Sequence, residues 1–441
     1  MSDAIPCGLH ILITNNTLGA RAGSEVYARD LAIELMKRGH HPVVYSTVLG
    51  EVAEDLRRAT VPVVDDLHAL GTTPDIIHGQ HHLETMTAAL HFPRTPVISI
   101  CHGWLPWEEL PPLFPSILRY VAVDDLCKER LLTTKGVPPE RVEVLYNFVD
   151  TDRFQLRPPL PARPQSALIF SNYAGASMVA TLESACRKFG ITRIDVAGIG
   201  MGKALTAPEE VLGDYDVVFA KAKCAIEASA SGCALIVADF AGLGGMVTTE
   251  NVESLRRLNF GVRTMQRAGV SEESVIVELQ RYNAEDARQV SLLVRDKASM
   301  TKAVDRWDQL YREVLADWLT LAGGDQQAFA HNQLRAAAGY LSLLAPSLKT
   351  RYDGFARADH TERIVAEKEA LLALVEARAS AAEGRAAETE AQIRTNNETA
   401  RQLANELQQI YTSRAWKLVT RYRIFKSGIA NCRRAIAGKK L

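Results

Sequence analysis

Two lysines and a glutamate stand close together in residues 221–232, which read KAKCAIEASASG. A carboxylate such as that of Glu227 can accept hydrogen bonds from two hydroxyl groups of a ligand. The ammonium groups of Lys221 and Lys223 can neutralise the charge that builds up on a departing phosphate. If both lysines belong to a strand, the two-residue period places them on one face. The pattern predicts a site for an anionic, hydroxyl-bearing ligand; the alternative is a solvated strand end.

Two glycine-containing segments of the same region can supply backbone N–H groups. Residues 171–177 (SNYAGAS) include Asn172, and residues 242–245 include Gly244 and Gly245. Successive backbone N–H groups in such loops form concavities that bind anions. We therefore expect both segments to contact a phosphate-bearing ligand, with ordinary turns as the alternative.

A third glycine-containing loop lies near the N-terminus, between a short apolar run and an amphipathic segment. Residues 15–25 read NNTLGARAGSE and contain Gly19, Gly23, Ser24 and Glu25. Glycine lets backbone approach a ligand closely, and the N–H groups at the start of a helix attract anions. The loop does not match G-x-G-x-x-G, so it does not support a nicotinamide cofactor. We expect it to line either a phosphate site or the site of an acceptor, the molecule that would receive a transferred group.

Histidines follow two further apolar runs. His102 and Gly103 end PVISICHG, and a histidine at the carboxyl end of a parallel strand can donate to a ligand hydroxyl or stabilise developing charge. A structural turn histidine is the alternative. The segment HGQHH contains His78, His81 and His82, but no carboxylate follows at a spacing that suits zinc. We predict no metal.

Short strands alternating with amphipathic helices must position these residues. The runs HILIT, PVVYS, VPVV, DIIHG, PVISICHG and YVAVD are rich in β-branched residues, and residues 24–38 form a helix after the first. A second block holds SALIF, RIDVAGIG, DVVFAKAK and CALIVAD after the proline-rich residues 158–164, and we expect the amphipathic residues 303–318 to close it. This alternation predicts α/β architecture with two doubly wound domains.

Taken together, the motifs resemble the retaining glycosyltransferases of family four. AGSE, PDIIH, VISICHG and VEVLYNFVDTDRF carry the resemblance over residues 8–155, and residues 165–318 carry it more loosely. The resemblance implies the GT-B fold, in which two Rossmann-like domains face each other. It also implies that His102 lies near the transferred sugar, that Glu227 holds the ribose hydroxyls of a nucleotide-sugar donor, and that no cofactor or metal is needed.

The chain departs from that family at the donor site. The first glutamate of E-x7-E would fall at Phe219, and the Arg and Lys that normally neutralise the donor diphosphate are missing after the first strand of the second domain. Phe148 replaces the glycine of N-G-V-D. We expect Lys221 and Lys223 to take over the neutralising role. With the donor in the second domain, the first domain would hold a saccharide or lipid-linked acceptor.

The C-terminal third changes character. Residues 359–409 are rich in Ala, Glu, Arg and Gln, which favours a long helix or weak coiled coil and would allow a homodimer. After Glu406 there are nine Lys and Arg and no acidic residue, and apolar residues recur at helical spacing. Such a helix is typical of binding to an anionic membrane surface, and residues 410–423 resemble tails of bacterial polysaccharide-assembly glycosyltransferases. Docking on the protein's own core is the alternative.

We divide the chain into five parts: a first Rossmann-like domain (1–157), a second (158–320), a helical linker (321–358), a long helix (359–412) and a basic tail (413–441). The composition of the 441 residues is that of a globular protein, and a net charge of −1 gives no general attraction to nucleic acid. The seven scattered cysteines indicate neither disulfides nor zinc. The N-terminus lacks a basic leader segment, so we expect a cytoplasmic protein, peripheral to the inner membrane face.

Three functions fit these observations. The first is a glycosyltransferase that builds cell-surface glycans. The second is a catalytically silent GT-B protein that binds a sugar nucleotide or glycan as a scaffold, because family residues are missing from the donor site. The third is a GT-B-type sugar-nucleotide epimerase, against which the basic tail argues mildly, since an epimerase needs no membrane.

Overall fold

The computed structural model describes residues 5–352 except 173, 199–201, 203–204, 266–269 and 323, together with 368 and 402. Residues up to Ser342 form one compact unit, and a second unit begins at Leu343. The predicted long helix and basic tail, residues 359–412 and 413–441, lie outside the described residues apart from these two positions.

The first domain is built on a seven-stranded parallel sheet of order β3-β2-β1-β4-β5-β6-β7. Three of its central strands are buried along their length or nearly so, as expected where helices cover both faces of a parallel sheet. The strands are β1 (His10–Thr14), β2 (His41–Tyr45), β3 (Val63–Val64), β4 (Ile76–Gln80), β5 (Val97–Cys101), β6 (Ile117–Ala122) and β7 (Val142–Val144). The helices are α1 (Gly23–Lys37), α2 (Glu51–Arg58), α3 (His82–His91) and α4 (Asp125–Thr133).

The second domain holds a five-stranded sheet of order β12-β11-β10-β8-β9, in which only the pairing of the first two strands is antiparallel. Apolar clusters lie on both of its faces. The strands are β8 (Ser166–Phe170), β9 (Arg193–Ala197), β10 (Val217–Ala220), β11 (Ala234–Asp239) and β12 (Gly242–Met246). The helices are α5 (Ala176–Phe189), α6 (Pro208–Val211), α7 (Ala222–Ala230), α8 (Val252–Arg257), α9 (Glu272–Gln280) and α10 (Ala284–Lys297).

Helix α11 (Met300–Ala322), which follows the second domain, packs on the first domain. Trp307 Nε1 donates to Tyr27 Oη at 2.9 Å, and the Tyr311 hydroxyl lies 2.8 Å from His78 Nδ1. Arg306 pairs with Glu143 of β7. The expectation that residues 303–318 close the second block is therefore wrong. The amphipathic pattern identified the helix correctly, but its apolar face fits the first domain.

Residues 326–352 are helical, within the range predicted as a helical linker. None of the helices among the described residues is long and apolar enough to cross a membrane.

Candidate active site

Lys221 and Lys223 belong to the start of α7, not to a strand. β10 ends at Ala220, Lys221 is the N-cap residue, and Ala222 is the first residue of α7, with a left-handed φ of 50°. The expectation that the two lysines share one face of a strand is therefore wrong, because the chain turns directly from strand to helix. Lys223 and Glu227 are instead one helical turn apart, and Lys223 Nζ lies 3.7 Å from Glu227 Oε1.

Lys221 forms an ion pair with Asp239, the last residue of β11. Asp239 is fully buried and also accepts a 2.8 Å hydrogen bond from Ser171, which follows β8. The Lys221 ammonium lies 4.7 Å from the centre of the Phe240 ring. The carboxyl ends of three adjacent strands thus meet around Lys221, at the edge of an α/β sheet where ligands usually bind.

Lys223 reaches across to the first domain. Its Nζ lies 3.3 Å from Asp30 Oδ2 on α1, and Arg153 reaches the same oxygen at 3.2 Å. Arg29 binds the other Asp30 oxygen at 2.7 Å. Burial would raise the pKa of Asp30, but these three cations outweigh it and hold the pKa at about 2. Asp30 is therefore a buried anion shared by both domains.

Glu227 lies beside this interdomain ion cluster and is only 5% exposed. Burial raises the pKa of its carboxyl group, and the charge of Lys223 opposes that rise. A carboxylate in this position can accept hydrogen bonds from ligand hydroxyls. The structure therefore brings Glu227 and Lys223 together as the sequence suggested, whereas Lys221, the N-cap residue of α7, pairs with Asp239.

The second-domain glycine segments differ in role. Asn172 lies in a turn directly after β8, ahead of the start of α5, whose N-cap residue Gly175 offers no side-chain oxygen. Gly244 and Gly245 lie within β12, which pairs with β11, and a side chain at Gly245 would touch Glu278. The expected glycine loop at 242–245 is therefore wrong, because these residues continue the sheet.

In the first domain, the predicted loop residues Gly19, Gly23, Ser24 and Glu25 surround the start of α1. The N–H of Gly19 donates to Thr17 Oγ1 at 2.9 Å, and its carbonyl accepts from Glu51. Glu25 is buried and accepts from Ser24 Oγ at 2.9 Å. A buried carboxylate makes this loop better suited to hydroxyl groups than to a phosphate.

His102 follows β5 and faces α1, with its ring 5.0 Å from that of Tyr27. Burial lowers the pKa of its imidazole to about 4, so the ring is neutral at pH 7. A neutral imidazole can donate to or accept from a hydroxyl. The first of the two predicted roles, hydrogen bonding to a sugar, suits this environment better than stabilisation by a charged ring.

Glu109 was not singled out by the sequence, yet it joins two loops at the sheet edge. Its Oε2 accepts from the His102 backbone N–H at 2.8 Å, and its Oε1 lies 3.4 Å from His81 Nε2. His81 adopts a left-handed φ of 61° and accepts from the Asn16 backbone N–H at 3.3 Å. The HGQHH motif signals the histidine, but nothing local to Glu109 predicts this contact.

The three histidines of HGQHH point to different partners. His78 contacts Tyr311, His81 contacts Glu109, and the Nδ1 atom of His82 lies 2.6 Å from the Tyr340 hydroxyl. Within the described part of the chain, no group of three or more His, Cys, Asp or Glu is arranged to hold a metal ion.

Further contacts join the two domains. Asn147 donates to Asn259 at 3.1 Å, Arg257 pairs with Asp125, and Arg263 pairs with Glu129. Arg257, Asn259 and Arg263 all belong to the segment RRLNFGVR (residues 256–263), so this segment connects the second domain to the first.

Comparison with known proteins identifies one segment by family. Residues 21–153, nearly all of the first domain, match the family model for Glycosyltransferase Family 4. Over these residues the match supports the resemblance to family-four glycosyltransferases that the motifs gave. No curated protein sequence matches the chain.

Solved structures resemble a larger part of the chain. A glycosyltransferase from Rickettsia africae superposes with a TM-score of 0.51 at 14% identity, covering 70% of this chain and 99% of its own. Anabaena HepE in complex with UDP-glucose gives a TM-score of 0.47 at 14% identity, covering 70% and 100%. Acinetobacter baumannii MurG gives 0.42 at 12% identity, covering 69% and 99%. The first of these, with the sheet topology, confirms the predicted GT-B fold.

Proposed function

We propose that this chain, whose residues 21–153 match the Glycosyltransferase Family 4 model, transfers a sugar from a nucleoside-diphosphate sugar to a saccharide or lipid-linked acceptor. One observation carries the proposal: Lys223, at the start of α7 in the second domain, lies 3.7 Å from Glu227 and 3.3 Å from Asp30 on α1 of the first domain. This junction combines a hydroxyl acceptor with cations, as a sugar nucleotide requires. The solved structure of Anabaena HepE contains UDP-glucose, which belongs to the same class of donor.

In the proposed reaction, the bond between the anomeric carbon and the diphosphate oxygen breaks as the acceptor oxygen bonds to that carbon. The diphosphate oxygen leaves with the bonding electrons and negative charge builds up on it, and the proton of the acceptor hydroxyl passes to that oxygen. Lys221 and Lys223 stabilise that charge by exchanging Asp239 and Asp30 for phosphate oxygens. Glu227 accepts hydrogen bonds from the ribose, and neutral His102 binds a hydroxyl of the transferred sugar.

From the family resemblance we further propose that the reaction retains the anomeric configuration and needs no metal. We also propose a hexose as the transferred sugar and cell-surface glycan as the product. The Gly19–Glu25 loop would contact the acceptor, in keeping with the buried carboxylate at its end.

A second function is favoured by the ion pairs themselves. Lys221 and Lys223 each already have a buried carboxylate partner, which compensates their charge without a phosphate. If those pairs do not exchange, the chain would be a silent GT-B scaffold that binds a sugar nucleotide or glycan.

Glu227→Ala is expected to weaken donor binding by about 10–150-fold, because hydrogen bonds to a charged acceptor contribute about 1.5–3 kcal/mol. The measurement is calorimetric titration with the UDP-, GDP- or ADP-sugar that best raises the Tm of the wild type. Glu253→Ala is the matched control, because Glu253 pairs with Lys297 on the surface of the same domain.

Turnover separates the candidate functions. Acceptor-dependent release of the nucleoside diphosphate supports sugar transfer. Donor binding without turnover supports the scaffold, and conversion of the donor in the absence of an acceptor supports an epimerase. Equal donor affinity in Glu227→Ala and the wild type would refute the site assignment.

The tail after residue 412 is proposed to hold the protein on an anionic membrane surface. Nine cations without an acidic residue favour adsorption to phosphatidylglycerol vesicles, in a salt-dependent manner. Truncation after Tyr411 is expected to abolish co-sedimentation with such vesicles and to leave donor binding unchanged. Persistent co-sedimentation of the truncated chain would show that the tail is not the anchor.

A further inference from the structure

A group of buried polar atoms in the first domain has no hydrogen-bond partner among the described residues. The amide of Gln80 is fully buried, and neither its oxygen nor its nitrogen has a partner. The same holds for one side-chain atom each of Asn15, His78 and His102. Leaving a buried donor or acceptor unsatisfied costs about 1–3 kcal/mol, so such a group requires an explanation.

Strand register places these side chains on one face of the sheet. Ile13 of β1 pairs with His78 of β4, and Gln80 of β4 pairs with Ile100 of β5. Because side chains alternate between faces, Asn15, Gln80 and His102 project to the same side as His78. Contacts of His78 and His102 with Tyr27 of α1 identify that side.

This face leads to the interdomain ion cluster. The ring of Tyr27 lies 4.9 Å from that of Phe148, and the Phe148 ring centre lies 5.7 Å from Lys223 Nζ. Phe148 stands where the family that the chain resembles has glycine, and its ring contacts both Tyr27 and Lys223. A ligand held by Lys223 and Glu227 would therefore extend past Phe148 toward Tyr27 and His102.

The charges around this face exclude an anionic ligand group. Glu25, Glu84 and Glu109 are all buried at the same sheet edge, and His81 is already paired with Glu109. Phosphate or uronate groups would be repelled by these carboxylates. Ring hydroxyls of an uncharged sugar would not be repelled, and an amide can both donate to and accept from them.

We propose that Gln80, assisted by Asn15 and His102, binds ring hydroxyls of an uncharged sugar, and so determines which sugar the protein accepts. This inference rests on the proposed function and adds a subsite to it. The sugar is either the one attached to the donor or the terminal unit of the acceptor.

The test compares wild type with Gln80→Leu, which removes both amide groups at similar volume. UDP-glucose, GDP-mannose and ADP-glucose are titrated, each against its nucleoside diphosphate alone. We expect Gln80→Leu to lower affinity for the bound sugar nucleotide about tenfold and to leave the nucleoside diphosphate affinity unchanged, as loss of one good hydrogen bond predicts.

Ser116→Ala is the matched control. Ser116 Oγ is also buried without a partner, but the residue precedes β6 and so lies at the opposite, amino end of the sheet. Its replacement should leave every affinity unchanged, since only the position of Gln80 adjoins the proposed ligand.

A second arm separates the two sources of the sugar. If Gln80→Leu leaves the sugar-nucleotide affinity unchanged, acceptor binding is measured next. Saturation-transfer NMR detects binding of free glucose, galactose or mannose in the presence of the nucleoside diphosphate. Loss of that signal in Gln80→Leu assigns Gln80 to the acceptor site. If neither readout changes relative to Ser116→Ala, the inference is overturned while the proposed function stands. If wild type binds none of the sugar nucleotides or hexoses, both fail.

Discussion

Trp307→Ala is expected to lower the free energy of unfolding by about 3–5 kcal/mol, the usual cost of deleting a large buried aromatic side chain. Trp307 is 1% exposed although it lies on the helix that follows the second domain. Its indole N–H donates to the Tyr27 hydroxyl, and its ring lies 4.5 Å from that of His78. The substitution thus creates a cavity and removes a partner from a buried hydroxyl. Urea denaturation at fixed pH measures the loss.

Leu319→Ala is the control for this prediction, since Leu319 lies on the same helix and is about half exposed. It should change the free energy of unfolding by less than about 0.5 kcal/mol. Equal effects of the two substitutions would mean that α11 does not depend on its contact with the first domain. Trp307→Phe, which keeps most of the volume, should recover the larger part of the loss.

The strands and helices of both domains could be predicted because their signals are local. HILIT and SALIF form β1 and β8 as expected, since runs of β-branched residues fit strands covered on both faces. The helix predicted at 24–38 begins at Gly23 and ends at Lys37. What could not be predicted is which domain the amphipathic residues of α11 cover, because periodicity defines an apolar face and not its partner.

Of the interdomain ion cluster, the second-domain members Lys223 and Glu227 were expected as neighbours, whereas the first-domain member Asp30 was missed. Glu227 and Lys223 lie four residues apart, so one sequence window contains both. Asp30 lies 193 residues before Lys223, and no local pattern distinguishes it from other helix-surface carboxylates. The sequence also did not indicate that α7 begins directly after β10, at Ala222. Ala222 adopts a positive φ, which non-glycine residues rarely do.

Lys223→Ala is expected to lower the free energy of unfolding by about 3 kcal/mol, because it leaves Asp30 and Glu227 as buried anions. Arg29 and Arg153 still contact Asp30, which keeps the loss at the low end of the range for a broken buried pair. Adding Asp30→Asn should restore part of it. Urea denaturation of both single variants and the double variant gives the coupling energy, and a coupling near zero would contradict the ion cluster.

The pH dependence gives an independent check of the same cluster. The pKa of Asp30 falls from an ordinary 3.8 to about 2 on folding, which corresponds to about 2 kcal/mol of stability. Since the folded-state pKa is the lower one, this contribution is present above about pH 4 and is lost as the pH falls toward 2. Lys223→Ala should move that loss to higher pH, and Asp30→Asn should remove it.

The same variants decide whether Lys223 can serve a diphosphate. Asp30 and a phosphate compete for one ammonium group, so Asp30→Asn should raise affinity for UDP or GDP by about 3–10-fold, whereas Lys223→Ala should lower it by a similar factor. The opposite signs matter, because both substitutions destabilise the fold and a merely structural effect would weaken binding in both. If Asp30→Asn weakens nucleotide binding as much as Lys223→Ala does, the ion pair holds the two domains together and the phosphate is bound elsewhere.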